Sequence, residues 1–566
     1  MVGYSTMRTF AAPAALLLAG SLVLSGCSLV SGDDKPSSTS TSKAATNLKN
    51  TSWTKADRAD VAQGRTLRLG ATAIPNNFNP AHPDAVNSDA ARILAPTGGG
   101  AIRITSTGGW RVDHDYAESV EVADTDPLKI EVKLNPRAVW QGGTSITAAD
   151  MVAYWKAQNG SDDDYEVAST DGYDDIESVE QGDTKFDYTV TFKTPNAEWP
   201  LYVYPHLAAN VSKSPKLFNR GFRTRAISSN GPFIVKSIDT RRGTVVELPN
   251  PRWWGEKPKL SRITFQVATP EVLAKALAAG ELDAVDIEAN TYKIAKNVKG
   301  AAIQRAAGIE WSQVTLNGAR GPLKDPDVRR AIAHAIDRKA IAVQASSALG
   351  APPSPLGSVM RLPGQQGYVD SSAKLDFDLD TAKQLLTKAG WVVGTDGKRT
   401  RDGKQLTLSM PIPSNTPTNR HRASRIVQDL SKIGVQVRLR SVPAERFFSL
   451  FVIPLDFDIV TFVRRGSPFP IGAAESLFYP VDSAQNYTGV TEDRFGKGWD
   501  VTMGTLDDKL RDKRVAKLDE WVLDSPTVVP LAVTPIAVVV RKGLVNYGAA
   551  QFEQPDWTMV GFTKKK

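Results

Sequence analysis

Twice in the second half of this chain an apolar helical stripe ends at a glycine. Ala382, Leu385, Leu386 and Ala389 recur at helical spacing and stop at Gly390. Ala423, Ile426, Val427, Leu430 and Ile433 do the same and stop at Gly434, and Val435 to Leu439 then alternates as a strand. Helix, glycine stop, strand is the order in which α/β layers are built, so a layered α/β body is expected. The chain is long enough for several such layers: 566 residues, 41% hydrophobic and 23% charged. Those proportions exclude a fibrous or wholly disordered protein. At roughly 100–200 residues per domain the length predicts three to four units, of which two or three can be lobes of one body.

The first residues read as an address. Arg8 precedes an apolar stretch from Phe10 to Leu24, the pattern of a secretory signal, and the stretch ends in Leu24-Ser25-Gly26-Cys27. Cys27 is the one cysteine of the chain, which excludes an intrachain disulfide and any Cys-based metal centre. The segment resembles a bacterial lipobox, with residues 1–26 removed and Cys27 lipidated. Ser28 to Thr54 is rich in Ser, Thr, Asn and Lys and is expected to be a disordered tether, within a linker running from 27 to 62. Beyond Gly26 no apolar run approaches the roughly 18–20 residues that span a bilayer. The formal charge of +8 is dispersed, with no basic and aromatic cluster, so nucleic acid is not an expected partner.

Within the body, Thr66 to Gly70 and Lys129 to Leu134 alternate as strands, and Thr147-Ala-Ala-Asp150 opens a helix with a capping box. Asp325 to Arg338 reads as one capped, core-facing helix with Pro326 at its first position. A helix closes over Trp521–Leu523, and Val528 to Leu531 resumes a strand. Trp253 and Trp254 are expected to pack under a turn. Asp283 and Asp286 are expected to cap a loop rather than bind a cation, and His334 is expected to be structural.

Several segments, in order, resemble the bacterial extracellular solute-binding proteins of the peptide/nickel class, family 5. They are Leu134-Asn-Pro-Arg-Ala-Val-Trp140 with Gly143 to Asp150, Gly231-Pro-Phe233 with Leu248 to Leu260, Leu277 to Asp283, Leu316-Asn317 through Arg338, Asp380 to Trp391, Asn486-Tyr487, and Val529-Pro-Leu531. The resemblance implies an α/β, two-lobe clamshell of the type II periplasmic-binding-protein kind, with an extra subdomain on the first lobe. The expected division is lobe I over 63–312 plus 530–566, with an inserted subdomain at about 96–225, and lobe II over 313–529. It further implies a monomeric, lipid-anchored, extracytoplasmic receptor of an ABC importer that passes a peptide or peptide-like solute to a membrane permease. No cofactor or bound metal is expected. A sensor or adhesin lipoprotein, or a receptor for a metal chelate or haem, is the alternative.

The sequence departs from the peptide-binding members where they place a cleft strand with a tryptophan and an ammonium-binding aspartate. Here the run is Phe457 to Pro470, with Arg464 at the tryptophan position and Ser467 at the aspartate position. A hydroxyl cannot pair with an ammonium group, and an arginine repels it. A desolvated guanidinium favours a carboxylate or phosphate, so a ligand with an acidic or neutral head is expected. Arg464 and Arg465 point to opposite faces of an extended segment, so at most one is expected in the cleft. The bland alternative pairs them with Asp456 or Asp458. Family position adds Pro75, Asn76, Asn77, Asn415, Arg420, Phe469, Asn486 and Tyr487 as candidate wall residues. The asparagines suit a peptide backbone because an amide donates and accepts. No G-x-S-x-G, H-E-x-x-H or Walker A spacing occurs, and an enzyme is not expected.

Overall fold

The computed structural model describes residues 48–564, so the expected signal sequence and Cys27 lie outside the described residues. The first half contains β1 (Arg65–Ala71), β2 (Ala117–Thr125), β3 (Leu128–Leu134), α1 (Ala148–Gln158), β4 (Ile176–Gln181) and β5 (Asp187–Phe192). Next come β6 (Phe233–Asp239), β7 (Thr244–Pro249), β8 (Leu260–Val267), β9 (Ala284–Asp286) and β10 (Ala301–Leu316). The second half contains α2 (Pro326–Ala335), α3 (Arg338–Ser347), α4 (Leu379–Lys388), β11 (Thr407–Pro413), α5 (Pro417–Ser431) and β12 (Gln436–Val442). It ends with β13 (Ile459–Arg465), α6 (Asp508–Asp524) and β14 (Val528–Arg541).

One sheet of eight strands, ordered β13-β10-β14-β9-β1-β8-β7-β6, runs through both lobes. Its two long strands make the connection. β14 pairs with β9 through Val538–Val540, while β10 pairs with β13 through Glu310–Leu316. Between those zones the β10–β14 ladder shifts register twice, at Ala306/Glu310 and at Ser312/Gln313. Gly308 sits in the first shift, where an added Cβ would run into the Thr534 carbonyl, so glycine is required there. A bulge bends its strand, and two adjacent bulged strands are a natural place for a two-lobed body to flex. The boundaries read from sequence at 313 and 530 both fall inside these two strands.

The subdomain is a separate four-stranded sheet, β2-β3-β5-β4, under α1. The expected capping box is present: the Asp150 carboxylate accepts from the Thr147 N–H at 2.8 Å and from its hydroxyl at 3.1 Å. Lobe II places the parallel pair β11–β12 beside β13, with α5 packed on all three strands. The stripe that predicts α5 is its core face, since Ala423, Ile426 and Leu430 are each at 0% exposure.

Three expectations change. Asp325 to Arg338 is two helices: Asp325 caps α2, but Ile336 leaves helical geometry and Asp337 accepts from the Ala340 N–H at 2.9 Å to cap α3. A short side-chain acceptor competes with helix continuation at that point. The tether expected to reach Thr54, and the linker to 62, end earlier. Asn50 donates to the Ser106 and Gly364 carbonyls, Ser52 to the Ala549 carbonyl, and Val61 bridges Thr563. Asp283 and Asp286 are not loop caps. Asp283 takes the Arg68 guanidinium at 2.7 and 3.0 Å together with the Arg68 N–H, and Asp286 pairs with Arg92. Two further expectations agree with the structure: Trp253 and Trp254 pack against each other and Tyr116, and His334 bonds the Asp376 carbonyl.

Candidate ligand-binding wall

β13 is the terminal strand of the large sheet, and its C-terminal end reaches the level of the bulges, where Arg464 faces Trp311 across the ladder. The strand's alternation sends its two arginines to opposite faces, as expected. Arg465 is exposed, with Glu310 at 4.0 Å. Arg464 is half-buried. Its Nε donates to Gln313 Oε1 at 3.2 Å, and its Cζ lies 5.2 Å from the Phe462 ring and 5.4 Å from the Tyr487 ring. Cation–π contact supports the charge without neutralising it. Burial pushes its pKa down to about 10, with Tyr487 opposing. The internal partners that the sequence offered are taken elsewhere: Asp456 by Arg320 and Arg440, Asp458 by Arg320 and the Ser409 N–H.

Behind β13 stands a second arginine that the sequence reading did not select. Arg422, on the inner face of α5, is 6% exposed and donates through Nε to Thr461 Oγ1 at 2.7 Å. Thr461 spends its own proton on the Gln313 carbonyl at 2.6 Å. One turn earlier, Asn419 donates to the Thr461 carbonyl at 3.1 Å, while its Oδ1 is buried with no partner. Burial alone pushes the Arg422 pKa down to about 10, and no carboxylate faces it. Helical spacing was the signal that could have found both residues: stepping back along the core face Leu430–Ile426–Ala423 reaches Arg422 and Asn419. Asn415 and Arg420, the residues chosen from this segment, are both exposed, Asn415 in a turn at φ +57°.

The remaining candidates are placed as follows. Tyr487 joins Phe448, Phe462 and Arg464 in one aromatic cluster. Asn486 is buried, and its amide is used within its own turn, bonding the Pro480 and Val490 carbonyls and the Thr488 N–H and hydroxyl. Ser467 is buried, its hydroxyl accepting from the Phe469 N–H at 3.0 Å, and Phe469 is part of the core. On lobe I, Asn77 is sealed and bonds the Asn219 carbonyl and the Asn79 N–H, Pro75 is buried and Asn76 is exposed. The structure therefore groups Arg464 and Tyr487, and keeps the other candidates apart from them or turned inward.

The two lobes also touch beyond the large sheet. Glu198 of the subdomain, 4% exposed, accepts from the Ile471 N–H at 2.6 Å and the Gly472 N–H at 3.2 Å, and Ala197 donates to the Met503 carbonyl at 2.7 Å. Burial pushes the Glu198 pKa up to about 7, opposed by those two N–H bonds and by Arg511 and Arg361. Glu475, on the lobe II side, is also raised to about 7 by burial and by Asp500, Glu198 and Asp171.

Two lobes joined by a pair of bulged strands, with a half-buried arginine at the junction that faces no carboxylate, fit a receptor that closes on a solute. The chain belongs to the bacterial extracellular solute-binding proteins, family 5, whose middle region matches residues 111–486. It is 32% identical to the oligopeptide-binding protein OppA of Mycobacterium tuberculosis (strain H37Rv) over 549 residues, 96% of this chain and 92% of that protein. Its fold is similar to the periplasmic EDTA-binding protein EppA, with a TM-score of 0.82 at 22% identity, covering 92% of this chain and 99% of that one. It is also similar to lactococcal OppA, closed on an endogenous peptide, with a TM-score of 0.69 at 20% identity, covering 88% and 100%.

Proposed function

We propose that this chain is the substrate-binding lipoprotein of an ABC importer, capturing a peptide or peptide-like solute that presents an acidic group to Arg464. Lobe I, over 63–312 and 530–566, and lobe II, over 313–529, close about the bulged strands β10 and β14, and the closed receptor delivers its solute to a membrane permease. Cys27 carries the lipid after removal of residues 1–26, and the receptor works as a monomer outside the cell membrane. The relationship to oligopeptide-binding OppA supports the peptide class. The single observation that carries the acidic group is the Arg464 guanidinium. It is half-buried beside Phe462 and Tyr487, with one neutral hydrogen bond and no carboxylate. A cation held that way gains most from a planar, bidentate anion. The likeness to an EDTA-binding protein supports a second reading, a metal chelate rich in carboxylates. Calorimetry with trialanine and N-acetyl-trialanine tests the first: the acetylated peptide, which lacks the ammonium group, is expected to bind at least tenfold more tightly. Tighter binding of the free amine contradicts it.

A further inference from the structure

Five arginines of the described residues are almost fully buried: Arg329, Arg338, Arg361, Arg399 and Arg422. Four of them spend their terminal nitrogens on the protein. Arg399 bonds the Ile433, Trp391 and Lys383 carbonyls and the Thr387 hydroxyl. Arg338 bonds the Leu356, Pro530 and Ser372 carbonyls. Arg329 bonds Leu323, Lys324 and Ser525, and Arg361 bonds Gly367 and pairs with Asp512. In Arg422 only Nε has a partner. Its Nη1 and Nη2 have none, and neither is among the nitrogens closed off from solvent. Arginine keeps its proton at neutral pH, so the cost of its burial cannot be removed by neutralisation and calls for an anion.

The surroundings fit that role. Arg422 sits in the N-terminal half of α5, which begins just past the C-terminal end of β11, the side of an α/β layer where ligands bind. Thr461 holds the guanidinium from the strand, and the bonds of Thr461 to Gln313 and Asn419 fix Thr461 in turn. Asn419, one turn earlier on α5, bonds the same Thr461, and its own Oδ1 is buried without a partner. Thr461 and Arg464 lie three residues apart on one strand, about 10 Å of rise, and their side chains leave opposite faces. A ligand that meets both arginines reaches around β13 from one face to the other.

We infer that Arg422, with Asn419 and Thr461, forms a second anion subsite, so that the captured solute carries two carboxylates, one for each arginine. This rests on the reading that the solute binds against β13 with an acidic group at Arg464, and the test separates the two. Calorimetry uses N-succinyl-trialanine (two carboxylates), N-acetyl-trialanine (one) and N-acetyl-trialanine amide (none). For the wild type, the succinyl peptide is expected to bind at least tenfold more tightly than the acetyl peptide, and the amide most weakly. Arg422→Gln closes the gap between the first two. Arg422→Lys, which keeps the charge but loses the planar fork, narrows it and serves alone if the Gln variant does not fold. Arg464→Gln weakens both acids. A gap unchanged in the Arg422 variants, with Arg464→Gln still weakening both acids, overturns the second subsite and leaves the first. Indifference of all three peptides to Arg464→Gln, or no binding by any of them, overturns the underlying reading and the inference with it.

Discussion

Arg399 and Arg422 belong to the same lobe and are buried to the same degree, 4% and 6% exposed, yet they do opposite things. Arg399 ties a hairpin strand to α4 and to the end of α5, its bonds going to the Ile433, Trp391 and Lys383 carbonyls and the Thr387 hydroxyl. Arg422 satisfies one hydroxyl and leaves two nitrogens open. Burial alone therefore does not separate a structural cation from a binding one; unmet hydrogen-bonding capacity does.

The sharpest way to break that contrast is to replace both with methionine and follow urea unfolding. Arg399→Met is expected to lose about 3–5 kcal/mol, because it strands several buried acceptors. Arg422→Met is expected to lose nothing or to gain, because it removes a desolvated charge that the fold does not use. Equal losses would make Arg422 one more structural tie.

A smaller effect is expected at the contact between subdomain and lobe II. Glu198 has its pKa raised to about 7 by burial in this contact, against an ordinary 4.5. The stabilisation tied to its protonated form is fully present below the ordinary value and is lost as pH rises through about 7. Closure is therefore favoured at pH 5 over pH 8, by on the order of 1–2 kcal/mol. Glu475 acts in the same direction. Scattering from the ligand-bound protein across that range checks it, and Glu198→Gln should flatten the dependence. The smallest effect belongs to Arg465, exposed at 46% and 4.0 Å from Glu310. Arg465→Gln should change stability by less than about 0.5 kcal/mol and peptide affinity by less than twofold. A large loss would mean that the strand presents its other face to the solute.

How much of this was legible in the sequence depends on distance along the chain. α4, α5 and their glycine stops are local, and periodicity places them. The opposition of Arg464 and Arg465 is equally local, a consequence of strand alternation. The sequence reading placed Asn415 and Arg420 ahead of the helix, whereas α5 already begins at Pro417 and includes Arg420, so it selected these exposed residues instead of the inward Asn419 and Arg422. The pairing of Asp283 with Arg68, 215 residues apart, and of Glu198 with Ile471, 273 residues apart, had no local signal at all. The same holds for the N-terminal linker, whose polar composition reads as a free tether. Its hold on the body comes from main-chain bonds to the C-terminal segment together with the Asn50 amide on the Ser106 and Gly364 carbonyls. Backbone pairing of that kind leaves little trace in side-chain composition.

The most direct test of the account is a crystal structure of the receptor purified from its own host with whatever solute it retains. A carboxylate of the solute within hydrogen-bonding distance of the Arg464 guanidinium is the expected result. A solute that turns an amine or an apolar face toward Arg464, or that lies away from β13, would contradict it.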